Sequence, residues 1–184
     1  MDTKEHILDV AQRLIQQRGV NGFSYADIAA EVGIRKASLH HHFPTKTDLV
    51  LHLLNRYRQQ LEDYLASLPD TDSHVLLDRY AALFHGNLCQ GRACMGGMLA
   101  AEVATLDASL MPALERFLQV QQRWLSGVLE RGQQRGEIVR AATPARQAAM
   151  LISTLQGALL FARAGGDETF FQESVQGALS SLHA

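Results

Sequence analysis

The sequence predicts an all-α protein, with a small three-helix N-terminal head and a larger C-terminal helical body. Three observations carry this prediction. Apolar residues recur at helical spacing along nearly the whole chain, and no segment alternates with the period of a strand. Capping residues and Gly or Pro mark the ends of the periodic stretches. The charge is uneven: residues 1–60 hold eight Lys/Arg and six Asp/Glu, whereas residues 61–184 hold nine and thirteen.

The first helix follows from the stripe Ile7, Leu8, Ala11, Leu14 and Ile15, and Gly19 stops it. In "FSYADIAAEVG", Ser24 and Asp27 have capping-box spacing and Phe23 with Ile28 has that of a hydrophobic staple. A short helix therefore opens at Tyr25 and breaks at Gly33. A second runs from about Lys36 to His42. Pro44 closes it, and Thr45 with Asp48 caps a longer helix to about Leu68. Beyond the linker "SLPDTDS", helices are expected at about 73–88, 97–105, 108–135, 143–164 and 168–183, with breaks at 91–97, 136–144 and 165–167. The expected division is a head at 1–48, a connecting helix to about 68, and a helical body over 49–184.

At 184 residues, 47% of them apolar and only four proline, the chain has material for a real core and does not read as disordered. Its net charge of −2 excludes a uniformly basic nucleic-acid binder. Yet all the lysines (Lys4, Lys36 and Lys46) lie in the head, as expected where one module meets a polyanion. Two cysteines are too few for a disulfide scaffold, and the N-terminus lacks a signal-peptide apolar region. The longest apolar stretch, "AAMLISTLQGALLFA", is interrupted by Ser153, Thr154 and Gln156 and reads as too short to span a bilayer. A soluble cytoplasmic protein with no membrane partner is expected.

Two short helices joined at Gly33 have the form of a helix-turn-helix, whose second helix enters the major groove. Ala29 is small where the helices must cross, and Ile28, Val32, Ile34 and Leu39 supply the apolar contacts. Spacing alone fits a generic helical hairpin as well. Charge placement favours the helix-turn-helix, with ordinary solvated cations as the alternative: Arg35, Lys36 and Lys46 sit at helix N-termini, against the helix dipole, where local stability gives no reason for a cation. Such N-termini suit phosphate.

The stretch "FSYADIAAEVGIRKASLHHHFPTKTDLV" resembles the head of TetR-type transcriptional regulators, whose pattern is roughly T-x-x-x-I-A-x-x-x-G-[VI]-x-x-x-[ST]-[LI]-Y-x-[YH]-F-x-x-K-x-x-L. The match is gap-free and covers about residues 5–53. The resemblance implies a dimeric repressor that binds a palindromic double-stranded operator and is released by a small-molecule effector or by thiol modification. By position, Ser24 and Lys46 would hold phosphates, and Arg35, Lys36 and Ser38 would lie at base edges and backbone. His40 replaces the family's usual phosphate-contacting Tyr, and His41 would also face the groove. His42 and Phe43 would pack inward. Three consecutive helical residues point about 100° apart, so His40, His41 and His42 do not make a metal cluster.

The last two helices carry Met150, Leu151, Leu155, Leu159, Leu160 and Phe161, then Phe170, Phe171, Val175, Leu179 and Leu182. Such faces pack within one chain in the simplest case; the resemblance implies a homodimer interface. Phe84, Met98, Leu99, Met111, Phe117 and Trp124 read either as core or as the lining of an effector pocket. His85, Glu102, Gln156 and Arg163 are the candidate polar groups of that pocket.

In "LCQGRACMGGMLAAE", no strand precedes the glycines and no G-K-[ST] follows, which excludes a phosphate loop. His85, Cys89 and Cys94 lack a further cysteine pair to complete a structural metal site, so no metal or other cofactor is expected. Cys94, near a predicted helix N-terminus and beside Arg92, is either a reactive thiol or an inert core residue. Some TetR-type regulators resembling this chain around "CMGGMLAAE" sense oxidants or electrophiles through a cysteine in this region. A small all-α enzyme with a Cys/His centre is the alternative, but no His–Asp/Glu set accompanies the cysteines at a recognisable spacing, and no enzyme is expected. A ligand-independent helix-turn-helix interaction module is the third reading.

Overall fold

The computed structural model describes residues 2–184, and among these nine α-helices and two short 3₁₀ turns account for all regular structure apart from one isolated antiparallel bridge, Ile138 to His183. The helices are α1 (Thr3–Arg18), α2 (Tyr25–Val32), α3 (Lys36–His42), α4 (Lys46–Ser67), α5 (Ser73–Cys89), α6 (Met95–Ala101), α7 (Met111–Arg135), α8 (Pro144–Gly165) and α9 (Glu168–Ser180). The 3₁₀ turns, Val103–Thr105 and Ala108–Leu110, lie between α6 and α7. The all-α expectation and the helix-turn-helix head agree with this order.

The chain divides into two compact units. One runs to Leu61 and takes in Cys94–Phe117; the other comprises Glu62–Ala93 and Leu118–Ala184. This partition differs from the linear division expected at residue 48, because α6 packs against α1 inside the first unit.

In the first unit, Ile7, Leu8, Ala11, Leu14 and Ile15 are all buried on one face of α1, as their spacing requires. Ile28 of α2, Leu39 of α3, Phe43, and Leu49, Val50 and Leu53 of α4 complete the core. The glycines of "CMGGM", expected to break the chain, lie instead within α6. The reason is packing: a Cβ on Gly96 would stand 2.1 Å from Cε1 of Phe117. The glycine is there for close approach, and the helix starts two residues earlier than expected.

In the second unit, α8 and α9 pack as a pair and both touch α5. Leu151, Leu155, Ala158, Leu159 and Ala162 form the buried face of α8, and Phe171 and Val175 that of α9. Thr143 caps α8, with Pro144 in its first turn. By length and composition α8 reaches the size of a membrane-crossing helix, longer than the apolar run within it suggested. Its buried stripe against α5 and α9 makes it a core helix of this unit. Its other face leaves Met150 and Phe161 exposed at 63% and 73%.

Candidate nucleic-acid interface

The α2–α3 pair is built by local rules. Ser24 and Asp27 form the capping box that opens α2, with the Ser24 amide donating to Asp27 Oδ2 at 2.7 Å. These hydrogen bonds from Ser24 hold the Asp27 carboxyl below its usual range. At the other end Gly33 adopts left-handed φ 77°, ψ 31°, and its amide and that of Ile34 both donate to the Ala29 carbonyl at 3.0 Å. The tight turn then delivers α3, only seven residues long. Helices this short do not stand alone in water.

Tertiary contacts hold α3 instead. Leu39 and Phe43 are fully buried. The Tyr25 hydroxyl donates to the carbonyls of Phe43 at 2.9 Å and Thr45 at 2.6 Å, clamping the chain on both sides of Pro44. Burial, reinforced by the Asp48 charge, pushes the Tyr25 phenol up to about 12, so it remains a donor throughout the physiological range.

Around buried Leu39, Arg35, Lys36, Ser38, His40 and His41 are all exposed, and His42 is half-buried. His40 lies 4.8 Å from the Tyr25 ring, and its Nδ1 sits 3.1 Å from the Pro44 carbonyl. A carbonyl only accepts, so Nδ1 carries a hydrogen in this contact. Lys46 is half-buried, and its ammonium donates to the carbonyls of Val20 and Phe23 while standing 4.0 Å from the Phe23 ring centroid. Burial holds its pKa below the ordinary lysine value. The expected phosphate lysine thus has a structural attachment that the sequence did not reveal. Ser24, Lys36, His40 and Lys46 nevertheless line one shallow cleft of about 310 Å³ with Phe23 and Tyr25.

A family model described as "Bacterial regulatory proteins, tetR family" matches residues 7–53, and one described as "Tetracyclin repressor-like, C-terminal domain" matches residues 74–178. The chain belongs to the TetR family. Among solved structures, a TetR-family transcriptional regulator from Agrobacterium tumefaciens is 36% identical, with a TM-score of 0.94 over 99% of this chain and 98% of that one. A TetR regulator from Legionella pneumophila is 30% identical, with a TM-score of 0.85 over 99% and 98%. The transcriptional repressor NemR of Escherichia coli K12 is 27% identical over 88% of this chain and 84% of its own length. As a member of the TetR family, the chain is a DNA-binding transcriptional regulator and not an enzyme. Family members bind operator DNA and small-molecule effectors and usually act as dimers.

The effector-side candidates of this TetR regulator fall into both units. Cys94, Met98, Glu102, Met111 and Phe117 lie in the first, and Phe84, His85, Trp124 and Gln156 in the second. Glu102 is engaged with the backbone of the turn after α1. Its carboxylate accepts from the Val20 amide at 2.6 Å and from the Asn21 amide and side chain at 3.3 Å, satisfying the turn after α1. Gly19, at φ 78°, leaves room for it: a Cβ there would meet Glu102 Oε1 at 2.5 Å. Arg163 is likewise engaged, its Nε donating to the Gly91 carbonyl at 3.2 Å. Phe117 is buried and tilted against Tyr57 at 5.3 Å. Trp124 and Phe84 flank Tyr80, at 5.7 and 5.6 Å, in one aromatic cluster. Met98, Met111 and Gln156 are half-buried.

Of the pocket candidates in the second unit, only His85 borders its groove of about 400 Å³ along α5 and α9, with Asp78, Phe171, Gln172, Val175 and His183 among the other lining residues. Cys94 is buried at 5% exposure, whereas Cys89 is exposed. Burial is the environment of an inert thiol rather than a reactive one. Sequence reasoning missed Glu168, whose Oε1 lies 2.7 Å from His85 Nε2 across 83 residues, since no local pattern joins the two.

Proposed function

We propose that the chain is a dimeric repressor that places α3 of each protomer in the major groove of a palindromic operator. The observation that carries this reading is the exposed set Arg35, Lys36, Ser38 and His41 arranged around the single buried anchor Leu39. Arg35, Lys36, Ser38 and His41 read bases and backbone, while Ser24, His40 and Lys46 hold phosphates along the cleft they share. Lys46 spends two of its three N–H donors on carbonyls and has one left for a phosphate.

Dimerisation uses the outer face of α8 and α9. Met150, Leu160, Phe161 and Phe170 are exposed there, and the Phe161 and Phe170 rings lie 6.1 Å apart. Large apolar side chains exposed on one helix pair, two of them in ring contact, mark an interface, and a two-fold dimer matches a palindrome. The operator lies on the chromosome, so the place of action is the cytoplasm. Relatives named as repressors, NemR of E. coli and DhaR of Mycobacterium sp. strain GP1, support repression.

Release follows when a small molecule favours a body arrangement in which the two heads lose operator spacing. Residues 1–48 supply the DNA contacts and 49–184 the effector and dimer surfaces. Burial of Cys94 favours a reversible ligand over thiol modification as the signal.

A gel shift on duplex DNA from upstream of the protein's own gene tests the reading. A specific complex with a steep negative salt slope is expected; binding that ignores sequence would overturn it.

A further inference from the structure

We propose that His85, Cys89 and Glu168 form a binding site for a thiophilic divalent cation of the Zn²⁺ type, joining α5 to α9. His85 and Cys89 lie four residues apart on α5, the separation that puts two side chains on one helix face. Glu168 opens α9, which packs on α5. Its Oε1 is 2.7 Å from His85 Nε2, and Cys89 Sγ is 3.6 Å from that same nitrogen. The three donor atoms all lie within 4.8 Å of one another.

Those separations fit a common ion. With Zn–S of about 2.3 Å and Zn–N of about 2.0–2.1 Å at the tetrahedral angle, sulfur and nitrogen stand about 3.5 Å apart. The S···N distance of 3.6 Å already meets that requirement. Nitrogen and oxygen require about 3.3 Å, which the exposed Glu168 side chain reaches by a small rotation.

Nε2 is within reach of both other donors: the carboxylate stands 2.7 Å from it and sulfur 3.6 Å, while sulfur is 3.9 Å from Nδ1. Nε2 is therefore the ring atom that can share an ion with both.

Outer contacts fix the donors. Gln172 Nε2 donates to Glu168 Oε1 at 3.0 Å, and the His85 ring stacks on Phe171 with centroids 5.9 Å apart. One nitrogen, one sulfur and one oxygen donor select a borderline transition ion over Mg²⁺ or Ca²⁺. Three protein ligands leave a fourth position for water or an exogenous ligand. Coordination takes the thiol as thiolate, so the Sγ proton leaves to solvent, and the imidazole as its Nδ1–H tautomer. The ion ties together two helices that no covalent link joins directly.

Co²⁺ titration of the reduced full-length chain tests the site. A thiolate-to-cobalt charge-transfer band saturating at one equivalent per chain, and displaced by Zn²⁺, is expected. Cys89→Ser should abolish the band, and His85→Gln and Glu168→Gln should each weaken binding by at least about tenfold. Cys94→Ser should leave it intact. Zn²⁺ should raise the melting temperature of the parent but not of Cys89→Ser; because none of the three side chains is fully buried, the variants' metal-free melting curves should overlay the parent's. A chain that gives no band at stoichiometric cobalt, a band that survives Cys89→Ser, or an affinity unchanged in Glu168→Gln would overturn the proposal. Operator binding is measured separately and stands or falls independently.

Discussion

The Glu102 carboxylate accepts a 2.6 Å hydrogen bond from the backbone amide of Val20, across 82 residues of sequence. The same side chain serves Asn21, and Asn21 Nδ2 donates in turn to Thr105 Oγ1 at 2.8 Å. The turn between α1 and α2 is therefore satisfied from the segment that follows α6. Glu102→Ala leaves those amides without a protein acceptor and should cost about 1–3 kcal/mol. Thermal or urea denaturation reads the loss, and a melting curve superimposable on the parent's would show that solvent replaces the carboxylate without cost.

Lys46 has a structural role, to which the proposed function adds a phosphate contact. Lys46→Ala removes two charge-assisted hydrogen bonds to carbonyls and the contact with the Phe23 ring. We expect a stability loss of about 1.5–3 kcal/mol. Operator affinity should fall alike for all sequences, with the salt slope reduced by about 1. A lower melting temperature with an unchanged slope would leave Lys46 only its attachment to the head.

His40 shares its cleft with Ser24 and Lys46 and stands where the TetR-type pattern carries Tyr. His40→Tyr supplies a hydroxyl donor at that position, and operator affinity should be retained or raised. His40→Ala should lower affinity alike for all sequences in a gel shift, because a phosphate contact carries no base information. An unchanged affinity in His40→Ala would remove His40 from the interface.

Gly96 stands where any side chain meets Phe117. Gly96→Ala brings Cβ to 2.1 Å from Cε1 of the ring and should destabilise by about 1–3 kcal/mol. Combining it with Phe117→Leu should recover part of the loss if the clash is the cause, which a double-mutant cycle of melting curves measures.

Among the described residues Phe161 is the most exposed of the large apolar side chains, at 73%. Phe161→Glu places a charge on the outer face of α8 while leaving the buried stripe untouched. Light scattering should then report a monomer, and operator affinity should drop because half-sites bind singly. A dimer of undiminished stability would place the interface elsewhere.

Local signals were legible and long-range ones were not. The stop at Gly19, the capping box at Ser24 and Asp27, and the turn at Gly33 depend on residues within four positions, and the structure has them where the pattern puts them. The head's exposed face was equally readable, because a single apolar anchor in α3 fixes which way the other side chains point. "CMGGM" misled, since glycine's packing use against a ring 21 positions later looks locally the same as its use as a breaker. The backbone attachments of Glu102 and Lys46 were hidden for the complementary reason: pattern alone does not bring near the turn whose amides and carbonyls they serve. The pairing of His85 with Glu168 belongs to the same class.

The clamp from Tyr25 to the Phe43 and Thr45 carbonyls has a consequence for how such a regulator diversifies. Because α3 is held from outside and buries only Leu39, its remaining side chains owe little to the stability of the head. Under the proposed groove contacts, the exposed Arg35, Lys36, Ser38 and His41 are free to drift toward a new operator without a compensating change in the core. Recognition and folding are thereby inherited as separable traits, and a gene duplicate could acquire a different target through a few substitutions on one turn of helix.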